Sequence, residues 1–100
     1  MKIPKSLVIN SQTYKIKRYP QIEVNNQQCY GASSSKQKEI LIATTENDRQ
    51  RQEETLIHEI LHMCVQETAL SHIFDKKHID EELIVQILSP ALYEVIKQLK

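Results

Sequence analysis

Residues 55–64 read TLIHEILHMC and lie at the centre of a long helical pattern. Apolar side chains cover most of the helical circumference here, and no Gly or Pro occurs from residue 44 until Pro90. A helix that is apolar on most sides is typical of a buried element. The pattern therefore predicts a buried helix over residues 47–70, with Thr44, Thr45 and Asn47 as candidate N-caps.

Within this helix, His58, Glu59 and His62 form an H-E-x-x-H segment. Two histidines four residues apart leave a helix about 40° from each other, so both imidazoles lie on one face. That spacing suits two nitrogen ligands of one Zn²⁺ ion. Glu59 points about 100° away from His58, which is too far for ligation but close enough to reach a metal-held water. The spacing therefore predicts two zinc ligands and a general base. The alternative is a metal-free core helix, which would have to bury three polar groups at once.

A catalytic zinc site needs a third protein ligand, and the residues after the motif offer several. A second helix is predicted over residues 79–100, broken or kinked near Ser89-Pro90. Its apolar stripe is centred almost on Glu81, whereas Glu82 lies about 100° away and fits a solvated first-turn charge. Provided that the helix starts before residue 81, Glu81 is the favoured ligand. The full set of candidates is His72, Asp75, His78, Asp80, Glu81 and Glu82. The predicted apolar stripe is Ile84, Val85, Leu88, Ala91, Leu92, Val95 and Leu99.

The first 43 residues have strand character. An apolar run at 7–9, a polar turn at 10–12 and alternating apolar and basic residues at 14–18 indicate a hairpin. Residues 29–32 and 40–43 suggest a second strand pair around a serine-rich loop. We expect an α+β fold in one domain of 100 residues, with a sheet of three or four strands packed on two C-terminal helices. The residues between the two helices, from 71 to 78, are predicted to be a connection.

Charge and cysteine content narrow the class of protein. The formal net charge is zero, but residues 1–38 hold seven basic residues and one acidic residue, whereas residues 39–100 hold six and twelve. A neutral sum argues against a general nucleic-acid or membrane-surface binder. Cys29 and Cys64 are expected to be reduced thiols. The apolar run near the N-terminus is too short for a signal peptide, and we expect a cytoplasmic protein.

The motif carries a resemblance to a known class of enzyme. His58, Glu59 and His62, with Thr55 three residues before them and a glutamate about twenty residues after, resemble the gluzincin zinc metallopeptidases. The similarity spans residues 53–92 and is greatest to the very small metallopeptidase-like proteins of bacteriophages and prophages. It implies that His58, His62 and Glu81 bind zinc and that Glu59 is the base. It also implies a small sheet stacked on two helices, and hydrolysis of a peptide bond in a peptide or protein substrate.

In the gluzincin class a strand at the edge of the sheet pairs with the extended substrate. The resemblance places that strand at residues 38–43 and implies substrate contacts from Ile40, Leu41 and Ile42. The lower subdomain of large relatives has no counterpart in these 100 residues.

Two other functions fit the same sequence. One is a non-catalytic regulatory or binding module of phage or prophage origin that zinc stabilises without any turnover. The other is a metal-free interaction domain whose basic N-terminal half contacts an anionic partner. The oligomeric state and the substrate sequence stay open at this stage.

Overall fold

The computed structural model describes residues 2–45 and 48–99 and has an α+β fold, as predicted. An N-terminal four-stranded mixed sheet and a small two-stranded sheet precede three helices. The strands are β1 (Ser6–Ile9), β2 (Gln12–Tyr19), β3 (Ile22–Val24), β4 (Gln27–Cys29), β5 (Gly31–Ser34) and β6 (Glu39–Ala43). The helices are α1 (Arg49–Gln66), α2 (Leu70–Lys76) and α3 (Glu81–Gln98).

The four-stranded sheet has the order β1-β2-β6-β5. The predicted first hairpin is present: β1 and β2 are antiparallel, and Asn10 and Ser11 between them have positive φ angles of 47° and 69°. Two successive residues with positive φ are typical of the type I′ turns that close two-residue hairpins. The second predicted pair, β5 and β6, is also antiparallel, whereas β2 and β6 are parallel. The parallel contact brings together two segments that lie about twenty residues apart.

Helix α1 covers one face of this sheet. Alternate residues of β2 and β6 point toward it and are almost fully buried, as the two-residue period of a strand requires. The buried cluster consists of Ile9, Tyr14, Ile16, Ile40, Ile42, Leu56 and Met63. The C-terminal end of α1 is tied to the sheet by Glu67, which accepts hydrogen bonds from Tyr14 Oη at 2.6 Å and Lys38 Nζ at 2.5 Å. These contacts add polar links to the apolar packing between the first helix and the sheet.

The position of β6 corrects the prediction for substrate contact. We expected residues 38–43 at the edge of the sheet, but β6 lies between β2 and β5 and has partners on both sides. Ile40 and Ile42 are fully buried against α1, and Leu41 points to the opposite face. A strand with both backbone edges paired has no free donors or acceptors for a peptide. The edge position expected for residues 38–43, on which the predicted substrate contacts of Ile40, Leu41 and Ile42 depend, is therefore wrong, and β5 takes that position.

The helices differ from the prediction at their ends. The N-cap of α1 is Asp48, whose side chain accepts from Arg51 N at 2.8 Å; the predicted start at residue 47 lies outside the described residues. Residues 70–76 form the short helix α2 instead of a connection, because the segment contains no Gly or Pro to interrupt the helical pattern. Helix α3 begins at Glu81, with Asp80 as its N-cap, and continues through Pro90 without a break.

Helix α3 packs with a different face from the one predicted. Its buried residues are Val85, Ser89 and Tyr93, and Tyr93 Oη donates a 2.6 Å hydrogen bond to Glu53 Oε1 on α1. Most of the stripe that we expected in the core is exposed, including Leu88, Leu92, Val95 and Leu99. Burial of the Tyr93 ring, and its bond to Glu53, turn the helix by roughly 100° from the orientation predicted by hydrophobicity alone. Across residues 2–45 and 48–99, no helix combines the length and apolar character needed to cross a membrane.

Candidate metal site

His58 and His62 leave the same face of α1, as their spacing predicts. Their ring centroids are 5.0 Å apart, with the rings inclined at 63°. Both rings face α3 and are partly buried, His62 more than His58, with 15% and 25% of their side chains exposed. The apolar residues on the other sides of α1 pack into the core, which fixes the direction in which the two histidines point.

Glu82 at the start of α3 faces both imidazoles. Its Oε1 lies 3.1 Å from His58 Nε2, and its Oε2 lies 2.7 Å from His62 Nε2. Ligand atoms of these three residues all lie within 4.8 Å of one another, and among the described residues they form the one such group of His, Cys, Asp and Glu that could hold a metal ion. The side chain of Glu82 is 52% exposed, so the group opens to solvent on one side.

Glu81 contacts the opposite edge of the His62 ring. Its Oε2 lies 2.5 Å from His62 Nδ1, and its Oε1 accepts a 2.8 Å hydrogen bond from Gln66 Nε2. Burial of the ring lowers the pKa of His62, but the bond to Glu81 and the negative charges of Glu82 and Glu59 outweigh this effect. The net result is a pKa above the ordinary value for histidine.

Glu81 and Glu82 thus contact different nitrogen atoms of the two histidines. Sequence reasoning favoured Glu81 as the third ligand on the condition that the helix starts before it, and α3 begins at Glu81 itself. The rotation of α3 places Glu82 beside both Nε2 atoms and Glu81 beside Nδ1. Asp80 caps the helix by accepting from Leu83 N at 3.2 Å. The other candidates, His72, Asp75 and His78, are outside the His58, His62 and Glu82 group.

Glu59 lies at the floor of the site between α1 and the edge strand β5. It is 9% exposed, and its Oε1 accepts a 2.6 Å hydrogen bond from Ser33 Oγ on β5. The strand can approach this closely because Gly31 has no side chain: a Cβ there would lie 2.5 Å from Thr55 Cγ2 and 2.9 Å from Leu41 O. The single glycine of the chain is therefore required where the edge strand meets the helix that carries the motif.

The histidines and Glu59 open into a cleft of about 880 Å³. One wall is the segment from Tyr30 to Lys36, which contains β5, and the other comes from the first half of α3. Arg51 stands at the rim with its guanidinium carbon 4.6 Å from the centre of the Tyr30 ring. This is a concave site with a few converging polar groups, as is typical of ligand-binding sites.

Sequence reasoning missed two polar partners of the site, Ser33 and Gln66. Ser33 lies within the polar run 33–36, whose composition predicts a loop, and no local signal distinguishes it from Ser34 or Ser35. Gln66 lies four residues after His62 and so on the same helical face, a spacing that could have identified it. Comparison of the chain with protein-family models, with curated proteins and with solved structures gave no match.

Proposed function

We propose that this protein is a zinc-dependent metallopeptidase with His58, His62 and Glu82 as metal ligands and Glu59 as general base. The observation that carries the proposal is the convergence of two imidazole Nε2 atoms and one carboxylate at an open cleft. Two histidines and a glutamate are a known donor set of catalytic zinc, in which the fourth position stays open for water or substrate. The resemblance of the motif to gluzincins points to the same chemistry.

The donor chemistry fits a divalent cation. The carboxylate of Glu82 already spans the two Nε2 atoms, which are the ring nitrogens that a metal would use. The carboxylate of Glu81 contacts Nδ1 of His62 and accepts a hydrogen bond from the side chain of Gln66. A carboxylate on the second ring nitrogen fixes the tautomer and orientation of a ligating histidine and strengthens it as a ligand. We therefore assign Glu82 to the metal and Glu81 to the support of His62.

When bound, zinc would lower the pKa of a water molecule and polarise a carbonyl group. Glu59 lies next to the ligands in sequence and faces the same cleft. In the proposed reaction its Oε2 accepts a proton from the attacking water and later delivers that proton to the nitrogen of the departing amine. Ser33 donates to Oε1 and so holds the carboxylate in one orientation.

The edge strand β5 is the proposed docking strand for an extended peptide. It pairs with β6 on one side and borders the cleft beside Glu59. Main-chain pairing along such an edge provides affinity without demanding a particular sequence. This role replaces the one that the resemblance first implied for residues 38–43.

The proposal is tested with the zinc-loaded protein and a library of proteome-derived peptides, with new termini identified by mass spectrometry. We expect cleavage by the unaltered protein and at least about 100-fold slower cleavage by Glu59→Gln, because a positioned general base contributes at least that factor. The Glu59→Gln variant should bind zinc with unchanged stoichiometry. Glu94→Gln, on the exposed side of α3, is the matched control and should cleave normally. Equal rates for Glu59→Gln and the unaltered protein would contradict the mechanism.

One observation favours a structural role for the same metal. The site joins α1 to α3, and the described contacts between them include few buried apolar residues on α3. A small domain with a limited core gains from such a staple. A protein that binds one zinc, unfolds more easily after chelation and cleaves no peptide in the library would be this zinc-stabilised module instead of a peptidase.

A further inference from the structure

We propose that α3 is the interface of a homodimer, in which two copies of the chain pair antiparallel through the exposed seam Leu88, Leu92, Val95 and Leu99. The inference does not depend on the metal site. It starts from the outward face of α3, where large apolar side chains that sequence patterning would place in a core are open to solvent. Their exposed fractions are 51% for Leu88, 37% for Leu92, 51% for Val95 and 79% for Leu99.

The seam has the geometry of a helix–helix contact. The four residues are spaced by 4, 3 and 4 positions, which is the a/d spacing of a coiled coil, and they lie within about 60° on the helical wheel. They extend over about 17 Å of helix axis. A stripe of this width and length accommodates another helix better than it accommodates an extended strand or a small ligand.

The spacing also suits a second copy as the occupant. The sequence of intervals 4, 3, 4 is the same in both directions, so an antiparallel copy places every seam residue opposite another seam residue. Leu88 would face the partner's Leu99, and Leu92 would face the partner's Val95. Twofold interfaces need this self-complementarity, since the same patch serves both subunits. The neighbouring residues Ala91 and Gln98 carry no charge, so identical copies meet no like-charge repulsion there.

The exposed area of the seam approaches what a dimer needs. Its four side chains together present roughly 440 Å² in each copy, at about 200 Å² for a fully exposed large residue. Two copies would therefore bury about 880 Å² of apolar surface before any polar rim is counted, close to the roughly 1,000 Å² in total that a specific interface needs. Glu82 lies about 110° around the helix from the centre of the seam, and Glu81, although near the line of the seam, lies about two turns before Leu88. Pairing over residues 88–99 therefore leaves the candidate metal site open.

The test is sedimentation equilibrium of the full chain between about 1 and 200 µM, a range that brackets ordinary dimer affinities. We expect the unaltered protein to have twice the chain mass of 11.7 kDa at the upper concentrations. Val95→Lys places an ammonium group in the centre of the seam and should raise the dimer dissociation constant by about 100-fold or more. The matched control is Val8→Lys, an equally drastic change at a position that is 66% exposed on β1, and it should leave the dimer intact.

Circular dichroism shows whether each variant is folded. If Val95→Lys does not fold, Leu99→Lys, at the most exposed seam position, provides a second measurement of the effect on dimerisation. A monomer at every concentration overturns the proposal and leaves the face to a different partner. A dimer that survives both seam substitutions, or that is lost with Val8→Lys alone, places the interface elsewhere and overturns it equally. Dimer loss in the two seam variants and retention in the control supports it.

Discussion

The roles proposed for Glu82, as a metal ligand, and for Glu81, as the support of His62, can be tested by the affinity of the protein for zinc. Glu82 contacts Nε2 of both histidines, at 3.1 and 2.7 Å, whereas Glu81 contacts only Nδ1 of His62. Two unit charges about 4 Å apart near a protein surface interact by about 4 kcal/mol, which corresponds to about 10³-fold in a binding constant. If Glu82 is the third ligand as proposed, Glu82→Gln should weaken zinc binding by about that factor, since it removes the charge that would face the ion.

Glu81→Gln should have a smaller effect on the same quantity. Loss of a group that supports a ligating histidine typically weakens metal binding by about 10- to 100-fold. Gln66 donates to Glu81 Oε1, so the substituted amide can still accept from Gln66 while it loses the charge beside His62. Glu94→Gln, on the same helix but away from the site, controls for a general change in charge and should bind zinc normally.

Zinc affinity is measured by competition with a chromophoric chelator, and the cobalt-substituted protein provides a second readout. The visible absorption of Co²⁺ reports the number and type of its ligands, so it should change in Glu82→Gln and keep its shape in Glu81→Gln. The reverse result would refute the assignment: a larger loss and an altered cobalt spectrum in Glu81→Gln would make Glu81 the third ligand, as the apolar stripe of the sequence suggested.

Three further results are expected. Gly31→Ala should destabilise the fold by about 1–3 kcal/mol in urea denaturation, because the added Cβ would overlap Thr55 Cγ2 and Leu41 O; Thr55→Ser should rescue only part of this loss, since the carbonyl remains. Burial and the bond to Glu53 raise the pKa of Tyr93 to about 12. The stability that this group contributes is therefore complete below about pH 10 and is lost as the pH rises from 10 to 12. Melting curves recorded across this pH range should show a smaller loss of stability for Tyr93→Phe than for the unaltered protein. Removal of zinc with a chelator should lower the melting temperature by about 10–20 °C, compared with protein in free zinc at about 100 times the dissociation constant. An unchanged melting temperature would contradict a metal that joins α1 to α3.

The strands of the four-stranded sheet, its first turn and the two long helices could be predicted because their signals are local. The Asn10-Ser11 turn, the alternation around Tyr14 and Ile16, and the helical pattern around the H-E-x-x-H motif depend on residues within one or two turns of each other. The same locality explains why the shared face of His58 and His62 was predicted correctly: four residues of helix determine it.

The missed features depend on contacts between distant segments. The two-stranded sheet of β3 and β4 escaped notice, although Asn25 and Asn26, with φ angles of 54° and 64°, form a turn of the kind that closes a hairpin. The place of β6 inside the sheet follows from its parallel pairing with β2, for which the sequence holds no local signal. The apolar stripe of α3 predicted the wrong packing face because the packed face depends on a contact with a distant segment, the bond from Tyr93 to Glu53 on α1.

The sequence alone determined the α+β class of the fold and the residues available to the site. These are two histidines and a glutamate on one buried helix and two adjacent acids at the start of a later helix. Only the tertiary structure decided which acid meets which nitrogen and which strand borders the cleft. The bond from Tyr93 to Glu53, forty residues away, favours this rotation of α3, and the rotation places Glu82 rather than Glu81 beside both Nε2 atoms. Helical period is a property of neighbouring residues, whereas the orientation of a packed helix results from competition among all the surfaces that it can bury.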